Sequence, residues 1–162
     1  MGKQGQQGMV YGGVTHINLD AKARLAVPTR YRTQLEQHCL SQLCVTAAFN
    51  DRCLLMYPLP EWEKLAKKLS NMPTMFDGLA RQVNRVLMSY AEERQLDGQG
   101  RLLLTASQKE YAGITKSIVL AGQGNRFEIW DEESWNQKHQ DFLANGFGEI
   151  DVDSLSEHLR NL

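Results

Sequence analysis

The apolar positions of this chain fall into runs that predict strands, turns and helices in one order, followed by the same order again. Val10 to Leu19 reads as a strand that breaks at the turn Asp20 to Arg24 and resumes as a short strand, Leu25 to Val27. Pro28 ends that strand and can open a helix at its first turn, Thr29 to Gln37. Leu43 to Ala48 and Cys53 to Tyr57 are apolar runs on either side of Asn50-Asp51, residue types that tolerate turn conformations, so the pair predicts a hairpin. Glu61 to Leu69 follows as a helix. Leu79, Val83, Val86, Leu87 and Tyr90 fall at helical spacing, with Arg81 and Arg85 on another face, and predict a helix that joins the two halves of the chain. Glu92 to Leu96, the turn Asp97 to Arg101 and Leu102 to Leu104 then repeat strand, turn, strand, with a short helix near Ser107 to Ala112. Ser117 to Ala121 and Arg126 to Trp130 flank Gly122-Gln123-Gly124-Asn125 as a second hairpin, and a helix from Glu132 to about Phe142 closes the series. Leu155, Leu159 and Leu162 fit a small amphipathic tail helix.

The repetition extends to the residues themselves. Leu19-Asp20-Ala21-Lys22-Ala23-Arg24-Leu25 recurs as Leu96-Asp97-Gly98-Gln99-Gly100-Arg101-Leu102, 77 residues later, whereas Tyr57 and Trp62 are echoed by Trp130 and Trp135 at an offset of 73. The chain is an internal duplication whose second copy is four residues tighter. A repeat usually needs its partner to bury an apolar face, so function is to be sought in what the two copies present together. Trp62 and Trp135, at equivalent positions, are expected to pin a helix onto a sheet rather than to stack on bases.

With 162 residues, 42% of them hydrophobic, the chain can bury a substantial core. No apolar run approaches the roughly 18–20 residues of a membrane span, and no signal peptide is recognisable, so a cytosolic location is expected. Residues 1–9, rich in Gly and Gln, read as a leader or tag outside the fold. Cys39, Cys44 and Cys53 lack metal-ligand spacing and, being three, complete no disulfide framework; they read as reduced, partly buried thiols. His16, His38, His139 and His158 are scattered, so neither a metal nor another cofactor is expected. No nucleophile, base and orienter form a set, which argues against an enzyme and a small-molecule substrate.

A net charge of −1 conceals an asymmetry: Lys3, Lys22, Arg24, Arg30 and Arg32 face only Asp20 up to Leu35, whereas nine acidic residues face Lys138 and Arg160 from Glu128 onward. Affinity for nucleic acid depends on the local cluster that meets phosphate and not on the whole-chain sum. The repeated turn supplies such a cluster. An Asp and an Arg four residues apart, beside small residues, can form a compact turn in which the carboxylate accepts backbone N–H bonds and pairs with the guanidinium. One reading stops there, with the pair fixing a loop. In the other, Asp20, Asp97, Gly98 and Gly100 shape the turns while Lys22, Arg24, Gln99 and Arg101 project outward, where Arg can bond guanine, Gln can match adenine and Lys can neutralise phosphate.

The run from Thr15-His16-Ile17-Asn18-Leu19-Asp20 through Ala26-Val27-Pro28-Thr29-Arg30-Tyr31-Arg32 resembles the first half of bacterial MraZ proteins, as do Cys53-Leu54-Leu55-Met56-Tyr57-Pro58-Leu59-Pro60-Glu61-Trp62 and Leu96 to Leu103. The resemblance covers about Met9 to Asn136 and is specific, because the Asp-x-x-x-Arg signature occurs twice with the expected sequence around it. It implies an α+β fold of two tandem AbrB-like units, in which swapped hairpins form a double-split β-barrel with flanking helices. It places the first unit at 10–75, a connecting helix at 76–89, the second unit at 90–144 and an acidic tail at 145–162. It also implies a ring-shaped homo-oligomer, cytoplasmic and nucleoid-associated in a bacterium. Such a protein binds double-stranded DNA at direct repeats in its own promoter, and regulates the division and cell-wall gene cluster with repression as the expected direction. The signature arginine implicated in DNA contact maps onto Arg24, with Arg101 its counterpart. An antitoxin-like or scaffolding protein-interaction module is the competing expectation. One departure stands out: Ala23 replaces the family's usual glycine while Gly100 keeps it, and alanine costs about 1 kcal/mol if that position needs a positive φ.

Overall fold

A computed structural model of the chain describes residues 9–146. The leader expected at residues 1–9 and the tail helix through Leu155, Leu159 and Leu162 lie, but for Met9, outside the described residues. The molecule is an α+β fold with five helices and an antiparallel six-stranded sheet among those residues. The first copy contributes β1 (Val14–Asn18), β2 (Arg24–Ala26), α1 (Thr29–Cys39), β3 (Gln42–Ala47), β4 (Leu54–Pro58) and α2 (Leu59–Ser70). After α3 (Gly78–Ser89), the second contributes β5 (Glu92–Gln95), β6 (Arg101–Leu103), α4 (Ala106–Ala112), β7 (Ser117–Gly122), β8 (Phe127–Asp131) and α5 (Glu132–Asn145). No described helix is long and apolar enough to cross a membrane.

The sheet order is β1-β7-β8-β4-β3-β5, and β2 pairs with β6 in a separate two-stranded ribbon. Each copy keeps its own hairpin, β3–β4 or β7–β8, but sends its first strand to the edge of the other copy's hairpin. The hairpins meet at β4 and β8, with Leu54 opposite Ile129, Leu55 opposite Glu128 and Met56 opposite Phe127. Exchanging the two copies maps this set of pairs onto itself, and the same holds for Arg24 opposite Leu103, Leu25 opposite Leu102 and Ala26 opposite Arg101. An approximate two-fold axis therefore runs between Leu55 and Glu128 and between Leu25 and Leu102. The outer pairings depart from it: Asn18 faces Ser117, but Gln95 faces Gln42 where exact symmetry requires Cys44. A slip of two residues preserves which side chains face the core, so burial tolerates it.

The four residues missing from the second copy are one turn of helix. α1 has 11 residues and α4 has 7, and both stop at a left-handed residue, Leu40 or Gly113, which changes the offset from 77 to 73. β3 and β4 are buried on both faces, as their uninterrupted apolar runs require, because helices α1 to α4 pack on them. The core gathers Leu25, Val27, Leu35, Val45, Met56, Leu102, Ile118, Phe127 and Ile129, drawn from both copies.

Two buried polar groups tie helices to this core. Gln108 donates from Nε2 to the carbonyls of Val45 (3.1 Å) and Tyr90 (3.0 Å), while its Oε1 accepts from the Thr105 N–H and completes a capping box at the start of α4. The Thr46 hydroxyl donates to the Leu87 carbonyl of α3. Cys39, Cys44 and Cys53 are buried thiols, and burial pushes Cys44 up to about 12. Trp62 is buried beside Tyr57, as expected of it. Trp135 lies on α5, where it lines a pocket with Lys138, His139 and Phe142.

Candidate nucleic-acid interface

Both signature turns fold in the same way, and the fold follows from the aspartate. Asp20 Oδ1 accepts from the backbone N–H groups of Lys22 and Arg24, each at 2.9 Å, while Oδ2 accepts from Arg24 Nε at 2.7 Å. Asp97 repeats this with Gln99 N and Arg101 N at 2.9 Å and Arg101 Nε at 2.8 Å. Backbone bonds close each loop, from Ala23 N to the Asp20 carbonyl (3.0 Å) and from Gly100 N to the Asp97 carbonyl (2.9 Å). The N–H of Arg24, then the Arg24 guanidinium and the N–H of Lys22, hold the Asp20 carboxyl below its ordinary range. Arg101 and Gln99 do the same for Asp97.

Each arginine is thereby oriented before it meets any ligand. Its Nε is spent on the aspartate, which leaves the two Nη groups as the remaining donors, on side chains that are 27% (Arg24) and 29% (Arg101) exposed. Fixing a long side chain on binding costs about 0.5–1.5 kcal/mol, and here most of that ordering is already done.

The ribbon places the turns side by side. Leu25 and Leu102 point inward and are 0% and 1% exposed; by strand alternation Arg24, Ala26, Arg101 and Leu103 share the outward face. Arg24 and Arg101 are diagonal neighbours across the pair, a relation that puts Cα atoms about 7–8 Å apart. Reciprocal bonds from Val27 N to the Gly100 carbonyl (2.9 Å) and from Leu104 N to the Ala23 carbonyl (3.2 Å) lock each turn onto the other copy's strand. Lys22 and Gln99 occupy matched, exposed tip positions.

The glycines divide. Gly100 has φ +70°, and a Cβ there would lie 2.3 Å from Arg32 Nε and 2.4 Å from its Cδ. Arg32, which the signature spacing does not single out as a site residue, donates from Nε to the Val27 carbonyl at 2.6 Å and so crosses the second turn. Ala23 adopts the same left-handed backbone at φ 60°, and the repeat-equivalent of Arg32 is Lys109. Gly98 needs no glycine, since a Cβ there meets open space and its counterpart is Ala21. Arg30, also basic, donates to Thr15 Oγ1 at 2.9 Å and stacks 4.5 Å over the Tyr31 ring. Among the described residues no group of three or more His, Cys, Asp or Glu side chains gathers to hold a metal ion.

The family described as "MraZ protein, putative antitoxin-like" matches this chain twice, over residues 10–86 and again over 87–156. The chain belongs to the MraZ family. Its relatives include a "Transcriptional regulator MraZ" of Halorhodospira halophila, 46% identical over 134 residues, which is 83% of this chain and 88% of the relative. The "Transcriptional regulator MraZ" of Shigella sonnei is 44% identical over 154 residues, 94% of this chain and 99% of its own length, and that of Escherichia coli K12 DH10B matches to the same extent. In this MraZ chain the boundary between the two matches falls within α3, between Val86 and Leu87. Each match therefore carries one Asp-buttressed arginine.

Proposed function

We propose that this protein is a sequence-specific DNA-binding transcription regulator that meets DNA with the outward face of the β2–β6 ribbon. The observation that carries the reading is the pair of arginines, one from each copy, held by aspartates on one face of one ribbon. A two-stranded ribbon fits the major groove, about 12 Å wide, and Nη pairs presented this way suit guanine O6 and N7 or a phosphate. Arg24 and Arg101 make these contacts, Lys22 and Gln99 extend them at the turn tips, and Asp20, Asp97 and Gly100 hold the geometry. The names of the relatives support the regulatory role. In this reading the protein assembles as a ring-shaped homo-oligomer on direct repeats in its own promoter, in the nucleoid, and represses the division and cell-wall gene cluster. Linked contacts, each weak alone, then add through effective concentration, which lets a near-neutral chain bind tightly.

The test is a salt-dependent titration on the duplex immediately upstream of the gene, against a scrambled duplex of equal length. Preference for the native duplex, falling steeply with salt, is expected. Arg24→Ala should weaken binding by about tenfold or more if the arginine reads a base, or lower the salt slope by about 1 if it meets phosphate. Unchanged affinity and slope in a folded variant refute the assignment. The family's antitoxin-like description and the exposed Met75, Phe76 and Leu79, at 79%, 91% and 66%, favour a protein-binding module as the second reading. A stoichiometric protein partner in the absence of salt-sensitive DNA affinity would select it.

A further inference from the structure

The two arginines of the ribbon are matched, but their neighbours are not. Directly across the strands Arg24 faces Leu103, whereas Arg101 faces Ala26. Leu103 is 44% exposed between Leu102 and Leu104, at 1% and 2%, because strand alternation turns it to the arginine face. An exposed leucine is ordinary on a protein surface and by itself carries nothing. This one stands beside Arg24 on an arginine-bearing face, where an apolar side chain has a specific use. Directly opposed residues have Cβ atoms about 4.5–5.5 Å apart, and base pairs rise about 3.4 Å, so Leu103 and Arg24 address the same or adjacent base pairs. Asp20 ties the Arg24 side chain back to its turn through Nε at 2.7 Å, and the arginine is 27% exposed beside a leucine that is 44% exposed. The one apolar mark on a base edge in the major groove is the C5 methyl of thymine.

Resting on the DNA-binding reading above, we infer that Leu103 reads a thymine methyl beside the base pair that Arg24 engages, and that Ala26, too short to reach, leaves the Arg101 end without this contact. The ribbon thereby has a polarity. It adds to the difference between Lys22 and Gln99 at the turn tips, so the approximate two-fold does not make the two orientations of a site equivalent.

The experiment replaces thymines of the native upstream duplex one at a time by uracil, which removes only the C5 methyl, and measures Kd for the parent protein and for Leu103→Ala. Burying one methyl is worth about 0.8 kcal/mol, or about a fourfold change in Kd. The parent should lose about fourfold at one thymine per bound ribbon, and Leu103→Ala should bind the native duplex about fourfold more weakly with no further loss on that uracil. Because Leu103 is exposed, the variant should keep the parent's urea midpoint, which confirms that it is folded. Tight, specific binding by the parent with no uracil-sensitive position overturns the inference while leaving the DNA-binding reading in place. So does a Leu103→Ala variant that keeps the parent's uracil sensitivity, which would assign the methyl contact elsewhere and leave Leu103 to a protein contact. Absence of specific binding by the parent overturns the DNA-binding reading itself, and the inference with it.

Discussion

Gly100→Ala tests whether the second turn is held by the packing described for it. Two costs add. An alanine at φ +70° takes a left-handed backbone, at about 1 kcal/mol or more. Its Cβ also lies 2.3–2.8 Å from Arg32 Nε, Cδ and Cζ, too close to be absorbed by a small shift, because Nε is bound to the Val27 carbonyl at 2.6 Å. Arg32 must leave, and a hydrogen bond from a charged donor is worth about 1.5–3 kcal/mol. The expected destabilisation is about 2.5–4 kcal/mol, read as a lower urea midpoint at fixed protein concentration, since association shifts apparent stability. In the double variant Arg32→Ala with Gly100→Ala the second cost is already spent, so the alanine at position 100 should add only about 1 kcal/mol. The reverse change in the first copy, Ala23→Gly, relieves the backbone cost but frees the unfolded chain, and should be neutral to stabilising by about 1 kcal/mol. A Gly100→Ala protein within about 0.5 kcal/mol of the parent, or the same penalty with and without Arg32, refutes this account.

Gln108→Leu leaves the carbonyls of Val45 and Tyr90 and the N–H of Thr105 without their partner, and should cost about 2–4 kcal/mol in the same urea assay; a neutral result would mean that the buried amide only fills space. The folded-state carboxyls of Asp20 and Asp97 titrate below the unfolded-state value, so their contribution to stability is present above about pH 4 and is lost as pH falls through the lowered value. Urea midpoints should therefore fall on acidification in this window, and less steeply in the variant Asp20→Asn with Asp97→Asn, whose amides still accept the backbone bonds; an identical slope would remove the turns from the acid response.

Most elements were legible because their patterns are local: the continuous apolar runs of β3 and β4 and the helical spacing of α3 lie within two residues of where the periodicity put them. The turn chemistry was legible too, since an aspartate four residues before an arginine has few ways to satisfy both. Partner choice was not. The apolar pattern of β1 is the same whether it joins its own hairpin or the other copy's, and only the resemblance pointed to exchange; nothing local encodes the pairing of Asn18 with Ser117. Arg32 escaped notice as a site residue because its role depends on Gly100, 68 residues away, and the missing side chain at position 100 was the available signal. Repeat equivalence carries over a position in sequence: Trp62 packs by Tyr57, and Trp135 stands at the matching place on α5, beside Lys138, His139 and Phe142.

Strand exchange between the copies sets a schedule for the nascent chain. β1 emerges from the ribosome long before β7, since Asn18 and its partner Ser117 are 99 residues apart. At about 5–20 residues per second, the first strand waits roughly 5–20 s for its native neighbour to be synthesised. Between the completion of the β3–β4 hairpin at Pro58 and the synthesis of β5 from Glu92, the hairpin lacks both flanking strands, β5 and β8, and β2 lacks β6. The half-made protein thus exposes open strand edges of just the kind that its second half will later cover. On a polysome, the first half of a neighbouring nascent chain offers the same edges, so co-translational pairing between chains competes with completion of each one.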